Sequence, residues 1–270
     1  MRRDQFAINA VSTQGGSLEE SLAAYSEAGF RQVEFRLGPI KDWIGAHSLA
    51  EFKDLLTDQG IRAIGGFEAQ ALVFADEATR AANFELHRQN AELLDALGGG
   101  TLVIGTDAPA QPQDDVLDVI GQALGELILS FPESVQMALE FNWSPVVRSL
   151  KSAYLVALAA DHPRVGILFD PAHYHCTPSK LEDLTPEVAA RILHIHVDDM
   201  RDKPGDQSQC NSDRVLPGQG CLDLRELFGR IEAAGYRGWF SIELFNHDLW
   251  ALPPARAAKL MYDSLGTLLG

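Results

Sequence analysis

Residues 165–175 read VGILFDPAHYH, a short apolar run that ends at a carboxylate, Asp170. The run has the length and composition of a buried β-strand bounded by a polar residue. A carboxylate in that place is not an ordinary core residue. It lies at the rim of a sheet, where it can bind a ligand, or it caps the helix that follows. The GILF run directly before Asp170 favours the rim.

Three other runs in the second half of the chain end in the same way. They read VQMALE, RILHIH and GWFSIE, and they close on Glu140, His196 and Glu243. We call these three side chains and Asp170 the ligand set. Three carboxylates and one imidazole suit Mn²⁺, Mg²⁺, Co²⁺ or Zn²⁺ and leave coordination positions open for a substrate. The pattern therefore predicts one divalent-metal site built from four neighbouring strands.

Short apolar runs alternate with longer helical patterns along the whole chain. Candidate strands are residues 5–10, 32–36, 61–66, 101–105, 135–140, 165–170, 192–198 and 238–244. Because parallel neighbours need a crossover connection, strands that alternate with helices indicate βα units. No linker or break in composition divides residues 1–270, so we predict one α/β domain, a (β/α)8 TIM barrel. The ligand set then falls at the carboxyl ends of strands five to eight, where such barrels place their active sites.

Three pairs of residues support this count of elements, because they have the spacing of a helix cap and its reciprocal carboxylate. They are Ser17 with Glu20, Ser48 with Glu51, and Asp223 with Glu226. We therefore expect helices to begin after Ser17, Ser48 and Asp223.

The stretch 191–199, RILHIHVDD, carries two histidines on one strand face. His196 is nearer the rim and is the better ligand. His194 lies one layer deeper in the barrel, where it is either a hydrogen-bonded core residue or a functional one. The role of Glu34 after strand two is also left open. Asp198 or Asp199 is placed to orient an imidazole or a substrate hydroxyl. Trp143 falls in a rim loop and is either a pocket wall or a packed core residue.

Composition excludes several classes of protein. The net charge is −16 and no Lys/Arg cluster offsets it, which opposes binding to the phosphate backbone of a nucleic acid. The three cysteines, Cys176, Cys210 and Cys221, are odd in number and lack metal-type pairing, so we expect no disulfide framework. The first residues lack the apolar region of a signal peptide, and no run approaches the roughly 20 apolar residues that span a bilayer. We therefore expect a cytoplasmic protein without membrane contact.

Longer motifs carry a family resemblance. The most specific are HVDD at 196–199, DRVLPGQGCLDL at 213–224 and SIELFNHDLW at 241–250, with support from VEFR, ALEF and FDPAHYH. With these motifs the chain resembles the xylose-isomerase-like TIM-barrel superfamily, also called the sugar phosphate isomerase/epimerase family. Within it, the chain resembles the inosose isomerases. The resemblance spans essentially the whole chain.

The resemblance implies a function. The ligand set would hold one divalent metal ion, and Glu140 and Glu243 would act as the acid/base pair. His173 and Arg214 would lie near the substrate, where Trp143 and Asp198 are our further candidates for contact. The implied chemistry is proton transfer next to a carbonyl, through a metal-bound enediolate. We expect a small keto-polyol or sugar substrate, most of all a ketoinositol, and leave a homo-oligomer open.

Other functions compete with this one. A 3-dehydroshikimate dehydratase or a ketose 3-epimerase would use the same barrel and a comparable metal site. An apurinic-site endonuclease of the same superfamily needs an Asp-Arg-His motif after strand seven, where this chain has Asp213-Arg214-Val215. A sugar-binding barrel without turnover would tolerate a degraded ligand set, whereas all four positions are intact here.

Overall fold

The computed structural model describes residues 1–269 of the chain. The strands in this part are β1 (Phe6–Asn9), β2 (Gln32–Arg36), β3 (Arg62–Phe67), β4 (Gly100–Ile104), β5 (Val135–Glu140), β6 (Val165–Phe169), β7 (Ile192–Val197), β8 (Asp199–Met200), β9 (Arg214–Val215) and β10 (Phe240–Ile242). Strands β1 to β7 and β10 are parallel and close into a barrel in the order β1-β10-β7-β6-β5-β4-β3-β2. The predicted (β/α)8 TIM barrel is confirmed. The short antiparallel pair β8–β9 was not predicted.

Helices connect and surround the barrel strands. Within residues 1–269 they are α1 (Leu18–Ala28), α2 (Leu37–Ala46), α3 (Leu49–Asp58), α4 (Glu77–Ala96), α5 (Val116–Ile128), α6 (Leu150–Ala159), α7 (Pro171–Cys176), α8 (Pro186–Ala189), α9 (Leu224–Ala233), α10 (His247–Trp250) and α11 (Pro254–Gly266). The three predicted helix starts are confirmed, because Ser17, Ser48 and Asp223 each accept a hydrogen bond from the backbone three residues on. The fully reciprocal cap forms at Ser17 alone of these three.

Most strand boundaries differ from the predicted ones by one or two residues. The instructive case is Asp170, which was predicted to end a strand. Strand β6 stops at Phe169, and Asp170 caps α7 by accepting a hydrogen bond at 2.9 Å from the backbone N–H of His173. Both interpretations of Asp170 therefore hold, because one carboxylate oxygen caps the helix while the other stays available at the rim.

Strand β3 carries glycines where its neighbours approach most closely. A Cβ at Gly65 would lie 2.4 Å from the carbonyl oxygen of Thr101, and one at Gly66 would lie 2.6 Å from that of Phe35. Any larger side chain would push these strands apart, so glycine is required for this register. The close packing brings Phe67, the last residue of β3, to the mouth of the barrel.

Cys176, Cys210 and Cys221 are all free thiols. None of the helices within residues 1–269 combines the length and apolarity needed to cross a bilayer.

Candidate metal centre and active site

The ligand set converges at the carboxyl ends of four barrel strands. Glu140 is the last residue of β5, and Asp170 directly follows β6. His196 lies near the end of β7, and Glu243 directly follows β10. These strands are consecutive around the barrel, so their ends lie side by side. One donor atom from each of the four residues lies within 4.8 Å of the others.

His196 directs Nδ1 at the carboxylates. This nitrogen is 3.4 Å from Oδ2 of Asp170 and 3.2 Å from Oε2 of Glu243. Nδ1 of His196 and Oδ2 of Asp170 are buried, and neither has a hydrogen-bond partner among the described residues. A buried polar atom without a partner costs about 1–3 kcal/mol, and a cation between these two atoms would satisfy both. The donor chemistry suits Mn²⁺, Mg²⁺, Co²⁺ or Zn²⁺, so the residues fit a divalent ion.

Arg214 places a buried positive charge beside the ligand set. Its Nη1 lies 2.7 Å from Oδ2 of Asp198, 2.9 Å from Oε2 of Glu243 and 3.0 Å from Oδ2 of Asp170. Only the contact with Glu243 has the direction of a hydrogen bond. Burial opposes ionisation of Asp170, but Arg214 and His173 hold the pKa of its carboxyl well below the usual range. Burial and the Asp170 carboxylate raise the pKa of Asp198 well above its usual range.

The predicted substrate contacts fall in different places. His173 lines a cavity that opens above the ligand set, and its Nε2 lies 3.4 Å from Oε1 of Glu140. Burial opposes its charge, but the carboxylates of Asp170 and Glu140 raise the pKa of the imidazole to about 10. Burial also opposes ionisation of Glu140, but His173 and His196 lower the pKa of its carboxyl. Nε2 of His173 also lies 3.4 Å from Nη2 of Arg214, so the imidazole lies between Glu140 and Arg214 at the cavity wall.

Arg214, Asp198 and Trp143 do not fit the direct substrate contact predicted for them. Arg214 and Asp198 have no exposed surface, and neither lines the cavity, because their polar atoms face each other and the ligand set. Trp143 is 60% exposed and borders a neighbouring depression rather than the cavity. Sequence position alone does not indicate which side of the rim such a side chain faces.

Glu34 links the two histidines of β7 from the barrel interior. Its Oε2 is 2.9 Å from Nε2 of His194, and its Oε1 is 3.1 Å from Nε2 of His196. Ser241 donates a further hydrogen bond to Oε2 at 2.7 Å. Burial opposes ionisation of Glu34, but His196 and His194 hold the pKa of its carboxyl well below the usual range. His194 is therefore a hydrogen-bonded histidine inside the barrel, and Glu34 orients the ring of His196.

Two asparagines that sequence reasoning missed hold the glutamates of the ligand set. Asn9, the last residue of β1, donates from Nδ2 to Oε1 of Glu243 at 2.9 Å. Asn142 donates from Nδ2 to Oε2 of Glu140 at 3.2 Å. A polar residue at or just after a strand end was the available signal in both cases. The hydrogen bonds restrict the rotamers of both carboxylates.

A cavity of about 320 Å³ opens above the ligand set. This is at the small end of the range for ligand pockets, about 300–1,000 Å³. Its lining combines apolar, amide and titratable side chains: Phe67, Glu68, Ala69, Gln70, Val103, Gly105, Glu140, Asn142, His173, His196, Asn211, Glu243 and Phe245. The arrangement can hold a small polar molecule with two carboxylates of the ligand set against it.

Comparisons with known proteins agree with this architecture. An inosose isomerase of Halalkalibacterium halodurans is 24% identical over 264 residues, covering 94% of this chain and 92% of that protein. A 3-dehydroshikimate dehydratase of Pseudomonas putida is 27% identical over 280 aligned residues, covering 98% of this chain and 41% of that protein. A crystal structure of the IolI protein with a bound zinc atom has a TM-score of 0.86 at 22% identity, covering 98% of this chain and 97% of that one.

A family model supplies the decisive comparison. Residues 22–265 match the model described as xylose isomerase-like TIM barrel. The match includes seven of the eight barrel strands and the whole ligand set. The chain belongs to the xylose isomerase-like TIM barrel family.

Proposed function

We propose that the protein is a divalent-metal-dependent isomerase or epimerase that moves a proton between carbons next to a carbonyl. Its substrate is a small keto-polyol, and a ketoinositol (inosose) is our first candidate. The observation that carries the proposal is the convergence of Glu140 and Glu243 with Asp170 and His196, beside a cavity that all of them except Asp170 line. Two carboxylates approach that cavity from β5 and β10, with the imidazole and the third carboxylate between them.

The two glutamates have the surroundings of proton carriers. Each lines the cavity, and each has one carboxylate oxygen held by an asparagine, at 2.9 Å for Glu243 and 3.2 Å for Glu140. A positioned carboxylate can take a proton from carbon or return it, which contributes about 10²- to 10⁴-fold to a rate. One glutamate removes the proton and the other returns it at the neighbouring carbon or the opposite face.

The other residues of the site prepare this transfer. A divalent ion held by the ligand set would supply positive charge that stabilises the enediolate formed after the first proton leaves. Arg214 partly offsets the charge of Glu243 and Asp170 from the buried side. His173 lines the cavity beside Glu140 and is placed to donate a hydrogen bond to a substrate oxygen. Phe67, Val103 and Phe245 give the cavity apolar walls that limit water.

The relatives favour the ketoinositol as the first substrate to test. An inosose isomerase matches this chain from end to end, with 94% of this chain and 92% of that protein aligned. A second candidate is dehydration of 3-dehydroshikimate, because the dehydratase relative matches 98% of this chain. Both reactions begin with removal of a proton next to a carbonyl, so the ligand set alone does not separate them.

A substrate panel separates the candidates. Protein loaded with Mn²⁺ would be incubated with 2-keto-myo-inositol, 3-dehydroshikimate and D-fructose, and the products would be identified by NMR. We expect an isomeric ketoinositol from the first compound. Turnover of 3-dehydroshikimate alone would replace the isomerase by a dehydratase, and turnover of D-fructose alone would indicate a ketose 3-epimerase. Glu27→Gln, which changes an exposed glutamate of α1, is a matched control that should behave as wild type.

A further inference from the structure

The cavity wall formed by β3 lies across the barrel from His196. In the closed order of the barrel, β3 and β7 are separated by three strands on either side. Glu68 and Gln70 follow β3 and line the cavity, beside Phe67. A substrate held at the ligand set would therefore present its far end to these side chains.

Glu68 is held in place by a lysine and keeps one oxygen available. Nζ of Lys41 donates to Oε2 of Glu68 and, at 3.1 Å, to Oδ1 of Asn90. The Glu68 side chain is 23% exposed. Among the described residues, Oε1 of Glu68 accepts no hydrogen bond. The ion pair restrains the carboxylate beside the cavity, and Oε1, which lies next to Gly38 of α2, has no protein donor among these residues.

The wall formed by β3 also carries a negative charge of its own. Glu140 and Glu243 belong to the ligand set, so Glu68 is the one carboxylate of the described lining that lies away from it. No lysine or arginine lines the cavity within residues 1–269. A carboxylate or phosphate at the far end of a substrate would meet the negative charge of Glu68, and Lys41, the cation beside that wall, is already paired with Glu68.

We propose that Glu68 determines specificity: Oε1 accepts a hydrogen bond from a hydroxyl at the far end of the substrate, and the carboxylate excludes an anionic group there. The inference rests on the proposed function and narrows its substrate class to uncharged polyols. Phosphorylated sugars and cyclic keto acids are disfavoured by the same wall. Lys41 is a positioning residue, since it acts through Glu68.

Binding of two ring compounds by Mn²⁺-loaded protein tests this role. The probes are myo-inositol, an uncharged polyol, and quinate, a ring polyol that carries a carboxylate, each titrated by calorimetry. In Glu68→Gln we expect the Kd for myo-inositol to rise roughly 10-fold, since a hydrogen bond to a charged group is lost. The Kd for quinate should fall, because its carboxylate is no longer repelled by the charge of Glu68, and Lys41 is freed from its ion pair with that residue. The ratio of the two Kd values should therefore change by more than 10-fold.

Two further variants make the result decisive. Lys41→Gln should weaken myo-inositol binding without improving quinate binding, because Glu68 keeps its charge but loses its anchor. Glu27→Gln makes the same charge change away from the cavity and should leave both Kd values unchanged. Equal changes in both Kd values of Glu68→Gln, or none, would overturn the inference and leave the proposed function standing. Failure of wild-type protein to bind myo-inositol would also overturn the inference, whereas the proposed function depends on turnover in the substrate panel.

Discussion

Glu34 contacts His196 on the ring nitrogen that faces away from the other ligands. Its two carboxylate oxygens lie 3.1 and 3.2 Å from Nε2, while Nδ1 faces Asp170 and Glu243. An ionised carboxylate can only accept hydrogen bonds, so Nε2 carries the hydrogen and donates a hydrogen bond to Glu34. Nδ1 is then the nitrogen available to a metal ion. A buried glutamate of β2 thus selects the tautomer of a ligand on β7.

Replacement of Glu34 should weaken metal binding without removing a ligand. In Glu34→Gln the side chain keeps its size, but it no longer presents two acceptors to the histidines. Loss of such a supporting carboxylate typically costs 10- to 100-fold in metal affinity. Competition for Zn²⁺ with a chelating dye would measure the change, and circular dichroism would check the fold. Wild-type affinity in Glu34→Gln would show that the ring of His196 needs no such support.

Metal binding should stabilise the folded protein. A ligand present at 100 times its Kd adds about 2.7 kcal/mol, which corresponds to a rise in Tm of about 5 °C or more in a protein of this size. Asp170→Asn should abolish the rise, because the amide can still cap α7 but is a poor metal ligand. Thermal melts with EDTA and with excess Mn²⁺ provide the comparison. Identical melting of the wild type in both conditions would contradict a metal site.

Arg214 should be essential for stability. Its buried guanidinium lies within 3.0 Å of carboxyl oxygens of Asp170, Asp198 and Glu243. Arg214→Met leaves these groups without their cation, and removal of one partner from a buried charged cluster costs about 3–5 kcal/mol. Asp198→Asn should cost less, about 1 kcal/mol, because the amide keeps an oxygen beside Nη1 of Arg214 and the carboxylates of Asp170 and Glu243 still pair with the guanidinium. Urea unfolding at fixed Mn²⁺ concentration measures both, and equal midpoints for Arg214→Met and wild type would refute the role.

The barrel, and the gathering of four donor side chains at one rim, were predictable because both depend on local pattern. Each strand is a short apolar run, and a donor at its carboxyl end must lie at the rim of a parallel barrel. That reasoning located Glu140, Asp170, His196 and Glu243 without any knowledge of contacts. It also identified Glu34 as unusual, but not its purpose, because the bond to His196 joins residues 162 positions apart.

The remainder of the site depends on how the barrel closes. Asn9 contacts Glu243 only because β1 pairs with β10, with Ile8 opposite Ile242. Such register does not appear in the hydrophobic pattern of either strand. The same limit applies to Arg214, which belongs to the unpredicted pair β8–β9 and has a fully buried side chain.

Proton transfer by the two glutamates is the central claim, and solvent deuterium exchange tests it most directly. Mn²⁺-saturated protein in D₂O would be mixed with 2-keto-myo-inositol, and deuterium at the carbons next to the carbonyl would be followed by NMR. We expect rapid incorporation by wild type and by Glu27→Gln. Glu243→Gln and Glu140→Gln should be slower by about 100-fold or more at full metal occupancy. Incorporation by either cavity variant at the wild-type rate would contradict the acid/base assignment.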